Sequence, residues 1–367
     1  MIAALSQEVF FSLMPPLPVE IWIEITQNFT FAEKNTLIAL LYTSKVLHVA
    51  AERQLYTSII APTDKPSKFD QQAFFKRIAS DERVAKFIRV LHVGCTPPRI
   101  SEHMLDVFWA DCFAALHAVE NLQELSFAEE PSRYAPFEDY IFPFRLKTFI
   151  WHVPSCQPPL LRFLARQPSL IRLEFTWCLR KVELQGLEEE LIHSLSNISI
   201  LRGPQELVLP LLRGSHIKHL YIKNLNRDAM DPSLLPKLER TQSIQTLVID
   251  DNHYYVPFLH NSAYLPNLVR LQLFAPDSAD LYATCELPKL ESFIIRRRAY
   301  GRDVLPSSLP AVCRLAELLF KLSSSLSSVQ VESDSPPRMI NHWSRGSLLP
   351  DSVSVEIMDG LDWWKSE

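Results

Sequence analysis

Chemistry needs reactive side chains at usable spacing, and this chain offers few. Six cysteines stand far apart, at 95, 112, 156, 178, 285 and 313. None belongs to a Cys-x-x-Cys pair or has a histidine at ligand spacing, so neither a zinc site nor a disulfide framework is indicated. They read as reduced thiols of a cytoplasmic and/or nuclear protein. The eleven histidines are dispersed. There is no Gly-x-Ser-x-Gly elbow, phosphate-binding Gly-Lys loop, dinucleotide glycine fingerprint or His-Glu-x-x-His, so no catalytic residue, metal or cofactor is expected. Glu129–Glu130 and Glu188–Glu190 read as solvated turns or helix ends, and Asp250–Asp251 as a loop cap or a ligand contact.

Arg296-Arg297-Arg298 follows directly on an apolar strand pattern ending at Ile295. Two readings stand: a solvated charge cluster, or a docking point for an acidic or phosphorylated segment, since guanidinium groups bind oxyanions in bidentate fashion.

The elements that would position such groups recur. Leu122-Leu125-Phe127, Leu146-Phe149-Trp151, Leu170-Leu173-Phe175, Leu195-Ile198-Ile200, Ile217-Leu220-Ile222, Ile244-Leu247-Ile249, Leu268-Leu271-Leu273 and Leu290-Phe293-Ile295 all fit Leu-x-x-Leu-x-Leu. Their starts are 24, 24, 25, 22, 27, 24 and 22 residues apart. An earlier triplet, Ile88-Leu91-Val93, and later patterns at Leu326-Val329-Val331 and Val353-Val355-Ile357 extend the series. Each unit predicts a short strand whose inward face no single unit can bury, so neighbours must stack into one parallel sheet. Helical return segments are predicted around Leu105–Val119, Pro158–Gln167 and Pro310–Leu322. The array resembles degenerate leucine-rich repeats; an antiparallel sandwich is the rival, but it would not require such regular spacing. The resemblance implies a curved solenoid with its strands on the concave side. The third and fifth residues of each triplet then face away from the core. Arg172, Glu174, His219, Tyr221, Arg270 and Gln272 belong to that row and, with Arg296 and Arg297, are the candidate target-binding residues.

Ahead of the repeats, residues 15–60 open on Pro-Leu-Pro and carry apolar residues spaced for three short helices, the third including Leu55 and Ile59 and capped by Ser44. So short a segment rarely buries its own apolar side chains. Leu17-Pro18-x-Glu20-Ile21, Leu37-x-x-Leu40, Ser44-Lys45, Ala51 and Leu55-Tyr56-x-x-Ile59 resemble an F-box across essentially its whole length. Lys34-Asn35 and Leu47 depart from it, where an acidic residue and an aromatic are frequent. The resemblance implies docking on the Skp-type adaptor of a cullin-RING ubiquitin ligase through Leu17, Pro18, Ile21, Ile25 and Leu40, with the remaining chain choosing the protein target. The alternative is a repeat scaffold whose N-terminal helices only cap the array.

The fold class expected is therefore α/β: helices at 15–60, a linker and connecting helix at 61–85, a solenoid at 86–358 and a tail at 359–367. A chain of 367 residues, 47% hydrophobic and 22% charged, has ample material for a core. Its net charge of -5 gives no reason to expect nucleic acid or an acidic membrane surface as partner. The first residues make a poor signal peptide, and no apolar run is long enough for a membrane span.

Overall fold

The computed structural model describes residues 18–29, 33–60, 71–96, 101–131, 137, 141–153, 157–176, 188–212, 216–223, 241–249, 259, 262–274, 276, 278–296, 309–332, 339–347 and 350–354. They fall into two compact units, one within Met1–Ser126 and Tyr140–Phe144, the other within Phe127–Asp139 and Arg145–Glu367.

The first unit begins with α1 (Val19–Gln27), α2 (Lys34–Leu41) and α3 (Lys45–Thr57). Proline cannot sit inside a helix but suits its start, and the Pro18 carbonyl accepts the Ile21 N–H at 3.1 Å. Ser44 caps α3 as its type predicts, its Oγ accepting the Leu47 N–H at 3.2 Å. The third helix stops at Thr57, two residues short of the predicted Ile59. Ser58–Ile60 instead forms β1, paired in parallel with β2 (Val90–Val93) from Ser58 opposite Val90 to Ile60 opposite His92. A β-branched run with a strand beside it gains more from ladder bonds than from another helical turn.

α4 (Gln71–Ser80) and α5 (Glu82–Ala85) follow, and α3 is tied to both. Tyr56 stacks on Phe74 with centroids 6.0 Å apart, and Arg83 donates two hydrogen bonds to Glu52, at 2.5 and 2.9 Å. α6 (Glu102–Ala118) is capped by Ser101 and buries Phe108, Trp109, Cys112, Phe113 and Leu116. Phe75 of α4 meets Phe108 edge-on at 5.5 Å. β3 (Glu124–Phe127) comes next.

The second unit alternates strands with return segments. Its strands are β4 (Thr148–Trp151), β5 (Arg172–Phe175), β6 (Ile200–Pro204), β7 (His219–Lys223), β8 (Thr246–Ile249), β9 (Arg270–Phe274), β10 (Ser292–Arg296), β11 (Ser328–Glu332), β12 (Met339–Ser344) and β13 (Asp351–Ser354). Its helices are α7 (Pro158–Ala165), α8 (Glu188–Ser194), α9 (Gln205–Leu211), α10 (Ser278–Cys285) and α11 (Leu309–Leu322). From β4 to β11 each strand pairs in parallel with the next, which is a solenoid-like α/β arrangement and not a sandwich. β12 and β13 then add on antiparallel, and β12 has no counterpart in the repeat pattern.

At each strand start one carbonyl serves two successive N–H groups of the next strand: Lys147 O takes those of Ile171 and Arg172, Ile171 O those of Ser199 and Ile200, and so on to Glu291 O with Ser327 and Ser328. This satisfies buried backbone donors where the ladder begins. The helix-covered face carries Phe149, Leu173, Leu201, Leu220, Leu247, Leu271, Phe293 and Val329, all buried. Phe163 of α7 packs on it 6.0 Å from Phe149 and 5.2 Å from Phe137, while Phe127 lies 5.4 Å from Trp151. Aromatic pairs at such separations stabilise beyond their buried area.

One triplet is corrected. Arg172 stands opposite Ile200 and Leu173 opposite Leu201, so the fourth unit reads Ile198-x-x-Leu201-x-Gly203, three residues later than Leu195-Ile198-Ile200. Gly203 occupies a position where other units carry a large apolar residue. Val208 of α9 takes the space, for a Cβ on Gly203 would lie 3.3 Å from Val208 Cγ2 and 3.4 Å from Phe175 Cβ. An asparagine marks the true start. Asn121, Asn197 and Asn267 each precede the first apolar residue of a unit, and their Nδ2 groups donate back to Lys86 O at 2.9 Å, Pro168 O at 2.8 Å and Gln242 O at 2.8 Å.

Candidate functional site

Two rows of side chains project from the face of the second unit opposite the core. Neighbouring parallel strands lie about 4.8 Å apart, so in-register residues form continuous rows. One runs Thr148, Arg172, Ile200, His219, Thr246, Arg270, Ser292, Ser328; the other runs Ile150, Glu174, Arg202, Tyr221, Val248, Gln272, Ile294, Gln330. Six of the predicted target-binding residues share these rows, and Arg202 joins them at a position that the triplet Leu195-Ile198-Ile200, by its fifth residue, gives to Ser199. The triplet Leu195-Ile198-Ile200 leaves Arg202 outside the row, and Asn197, whose Nδ2 donates to Pro168 O at the start of the unit, is the sequence feature that marks the register bringing Arg202 beside Glu174.

Glu174 is only 3% exposed, flanked in its row by Ile150 and Arg202. Its Oε1 accepts from Arg172 Nε at 2.6 Å and lies 2.6 Å from an Arg172 terminal nitrogen, while Oε2 lies 3.6 Å from Arg202. The Arg202 guanidinium sits 4.5 Å above the buried Tyr221 ring, a cation–π contact. Two guanidinium groups thus share one carboxylate, and Glu174 serves the network before it can serve a ligand. His219 is half-buried in the neighbouring row.

Farther along, a depression of about 310 Å³ opens at the N-terminal ends of β9, β10 and β11, lined by Val269, Arg270, Glu291, Ser292, Ile294, Ser327 and Gln330. Its origin is legible in the row: after Arg270 the next two strands contribute Ser292 and Ser328, and small side chains leave the space empty. Gln330 Oε1 is buried with no hydrogen-bond partner. Gln272 and Arg296 are buried on the same face. Arg297 lies outside the described residues, as do Asp250 and Asp251.

In the first unit, the predicted adaptor-contact residue Leu17 lies outside the described residues. Pro18 is exposed at the start of α1, Ile21 and Ile25 are 39% and 41% exposed, and Leu40 is half-buried. Ile38 of α2, Tyr42 just after it, and Val46 and Val49 of α3 are also exposed. Inward, Thr26, Leu37, Ala50 and Ala51 are buried. Three short helices therefore keep a set of large apolar side chains in water.

Among the described residues no group of three or more His, Cys, Asp or Glu is placed to hold a metal ion, and no helix is long and apolar enough to cross a membrane. Burial pushes the Cys112 thiol far above its ordinary pKa, with the Asp111 charge adding to the shift; Cys285 is raised for the same first cause, with Glu286 adding to it. Neither thiol is primed as a nucleophile. No protein-family model matches the sequence, and no curated protein matches it.

Proposed function

We propose that the chain is a non-catalytic substrate-recognition subunit of a cullin-RING ubiquitin ligase. The N-terminal helices, with their resemblance to an F-box, would dock on a Skp-type adaptor and through it a cullin, and the repeats, read as leucine-rich, would hold a protein target. The observation that carries this reading is the exposed apolar set Ile21, Ile25, Ile38, Val46 and Val49 on helices whose sequence resembles an adaptor-binding module. Ubiquitin transfer would be promoted by positioning: a held target has a high effective concentration near the conjugating enzyme, and the chain itself performs no bond chemistry.

A second reading has its own support. The Glu52–Arg83 ion pair and the Tyr56–Phe74 stack tie α3 to α4 and α5, as a helical cap on a repeat scaffold would be tied. Titration of the full chain against purified Skp-type adaptor separates the two. Ile21→Asp with Ile25→Asp should abolish binding and leave the far-ultraviolet circular dichroism intact, because both side chains already face water. A well-folded wild-type chain that does not bind the adaptor would leave the scaffold reading.

A further inference from the structure

The depression at β9–β11 selects an occupant by its lining. Glu291 stands there against Arg270, so neither a cation nor an anion is favoured. Val269 and Ile294 give it apolar walls, and the small Ser292 and Ser327 leave room for one large side chain. An arginine that is already matched can still lie against a ring: on the same sheet face Arg202, which shares Glu174, sits 4.5 Å from the Tyr221 ring. A neutral aromatic side chain therefore fits better than a charged one. The chain carries such side chains close by in sequence. Residues 355–367 follow directly on β13, lie outside the described residues, and contain Trp363-Trp364 between Asp362 and Lys365. Rings of that size gain from burial more than any other side chain of the segment.

We propose that one tryptophan of the Trp363-Trp364 pair enters this depression, so that the chain's own C-terminal segment covers the N-terminal ends of β9–β11. The reach is sufficient. β13 runs parallel to β11, and Ser354 stands at the end of the sheet where Glu332 closes β11, so the segment has to return across β12 and β11 and back along them. Three strand spacings of about 4.8 Å and a strand length of about 13 Å make a path of roughly 20 Å. Extended chain from Val355 to Trp363 spans about 30 Å. Side chains alternate along an extended segment, so one ring of the pair faces the sheet in either register. The contact does not depend on the ligase reading. Its consequence rests on that reading: a target held on this face must displace the segment.

The test is fluorescence polarisation with a fluorescein-labelled peptide of residues 355–367, titrated with the full wild-type chain and with the full chain carrying Trp363→Ala and Trp364→Ala. A tethered segment acts at an effective concentration of about a millimolar, so for a peptide affinity in the tens of micromolar the wild-type chain should bind the peptide about tenfold more weakly than the variant. The same peptide with alanine at both tryptophans should not bind. Ser292→Phe, added to the double-alanine chain, fills the depression and should abolish peptide binding with the circular dichroism unchanged; Ser327→Phe, at an exposed position of the same lining, serves if Ser292→Phe unfolds. Equal binding by the wild-type and double-alanine chains, no binding by either, binding of the alanine peptide, or indifference to the filling variants overturns the proposal. Sedimentation decides whose segment is bound: a wild-type dimer that the double-alanine variant dissolves would put a second copy's segment in the depression and overturn the contact within one chain. Adaptor titration alongside keeps the readings apart, because adaptor binding should be equal in all these chains and its absence refutes only the ligase assignment.

Discussion

Glu174→Ala puts the arginine network to a quantitative test. The carboxylate is 3% exposed and neutralises two guanidinium groups, at 2.6 Å and 3.6 Å, so its loss leaves two positive charges on a crowded sheet face. Removing one partner of a fully buried pair costs about 3–5 kcal/mol. Here the arginine side chains keep 18% and 17% of their exposure and can turn toward water, which reduces the expected loss to about 2–3 kcal/mol. Glu174→Gln keeps the shape and one acceptor and should cost about 1–2 kcal/mol. Urea denaturation followed by tryptophan fluorescence measures these values, with unchanged m-values as the check that only stability moved. Adding Arg172→Ala closes a double-mutant cycle, and a coupling of about 1–3 kcal/mol is expected. A loss within about 0.5 kcal/mol, the range of ordinary surface substitutions, would refute the network's structural role and return Glu174 to the residues open to a ligand.

Two other predictions concern packing and ionisation. Gly203→Ala sets a methyl 3.3 Å from Val208 Cγ2, so Val208 must give by a few tenths of an ångström; Val208→Ala, which clears that contact, should make Gly203→Ala more favourable by about 0.5–1 kcal/mol, and an equal effect of Gly203→Ala with and without Val208→Ala would show that the contact does not matter. Cys112 should resist alkylation in the folded chain and react on unfolding, as read by mass spectrometry. The same burial has a pH consequence. The folded thiol holds its proton above the ordinary value of 9.0, so above that pH the unfolded state ionises first and stability falls with rising pH. The slope approaches about 1.4 kcal/mol per pH unit and should vanish in Cys112→Ala. A slope unchanged in that variant would assign the effect to other groups.

Much of the arrangement was legible because it is local or periodic. The Ser44 cap, α6, α7, α11 and the strands at Leu173, Leu220, Leu247, Leu271 and Phe293 follow from side-chain type and from spacing that any single unit displays. Part of the candidate site was legible in the same way, since alternation along a strand places Arg172 with Glu174, His219 with Tyr221 and Arg270 with Gln272 on the outward face.

The rest depended on what lies beside each strand. Leu195-Ile198-Ile200 and Ile198-Leu201-Gly203 are both plausible triplets in isolation, and only the pairing of Arg172 with Ile200, with Val208 filling the gap at Gly203, decides between them. That choice brought Arg202 to Glu174 and so turned a candidate contact residue into the centre of a buried ion network. Ser58–Ile60 became a strand because Val90–His92 was there to pair with it. Sequence by itself determined the period, the helix starts and which residues alternate. Tertiary structure alone decided register, burial on the outward face and the depression between β9 and β11, because these are set by residues that meet across strands and are distant along the chain.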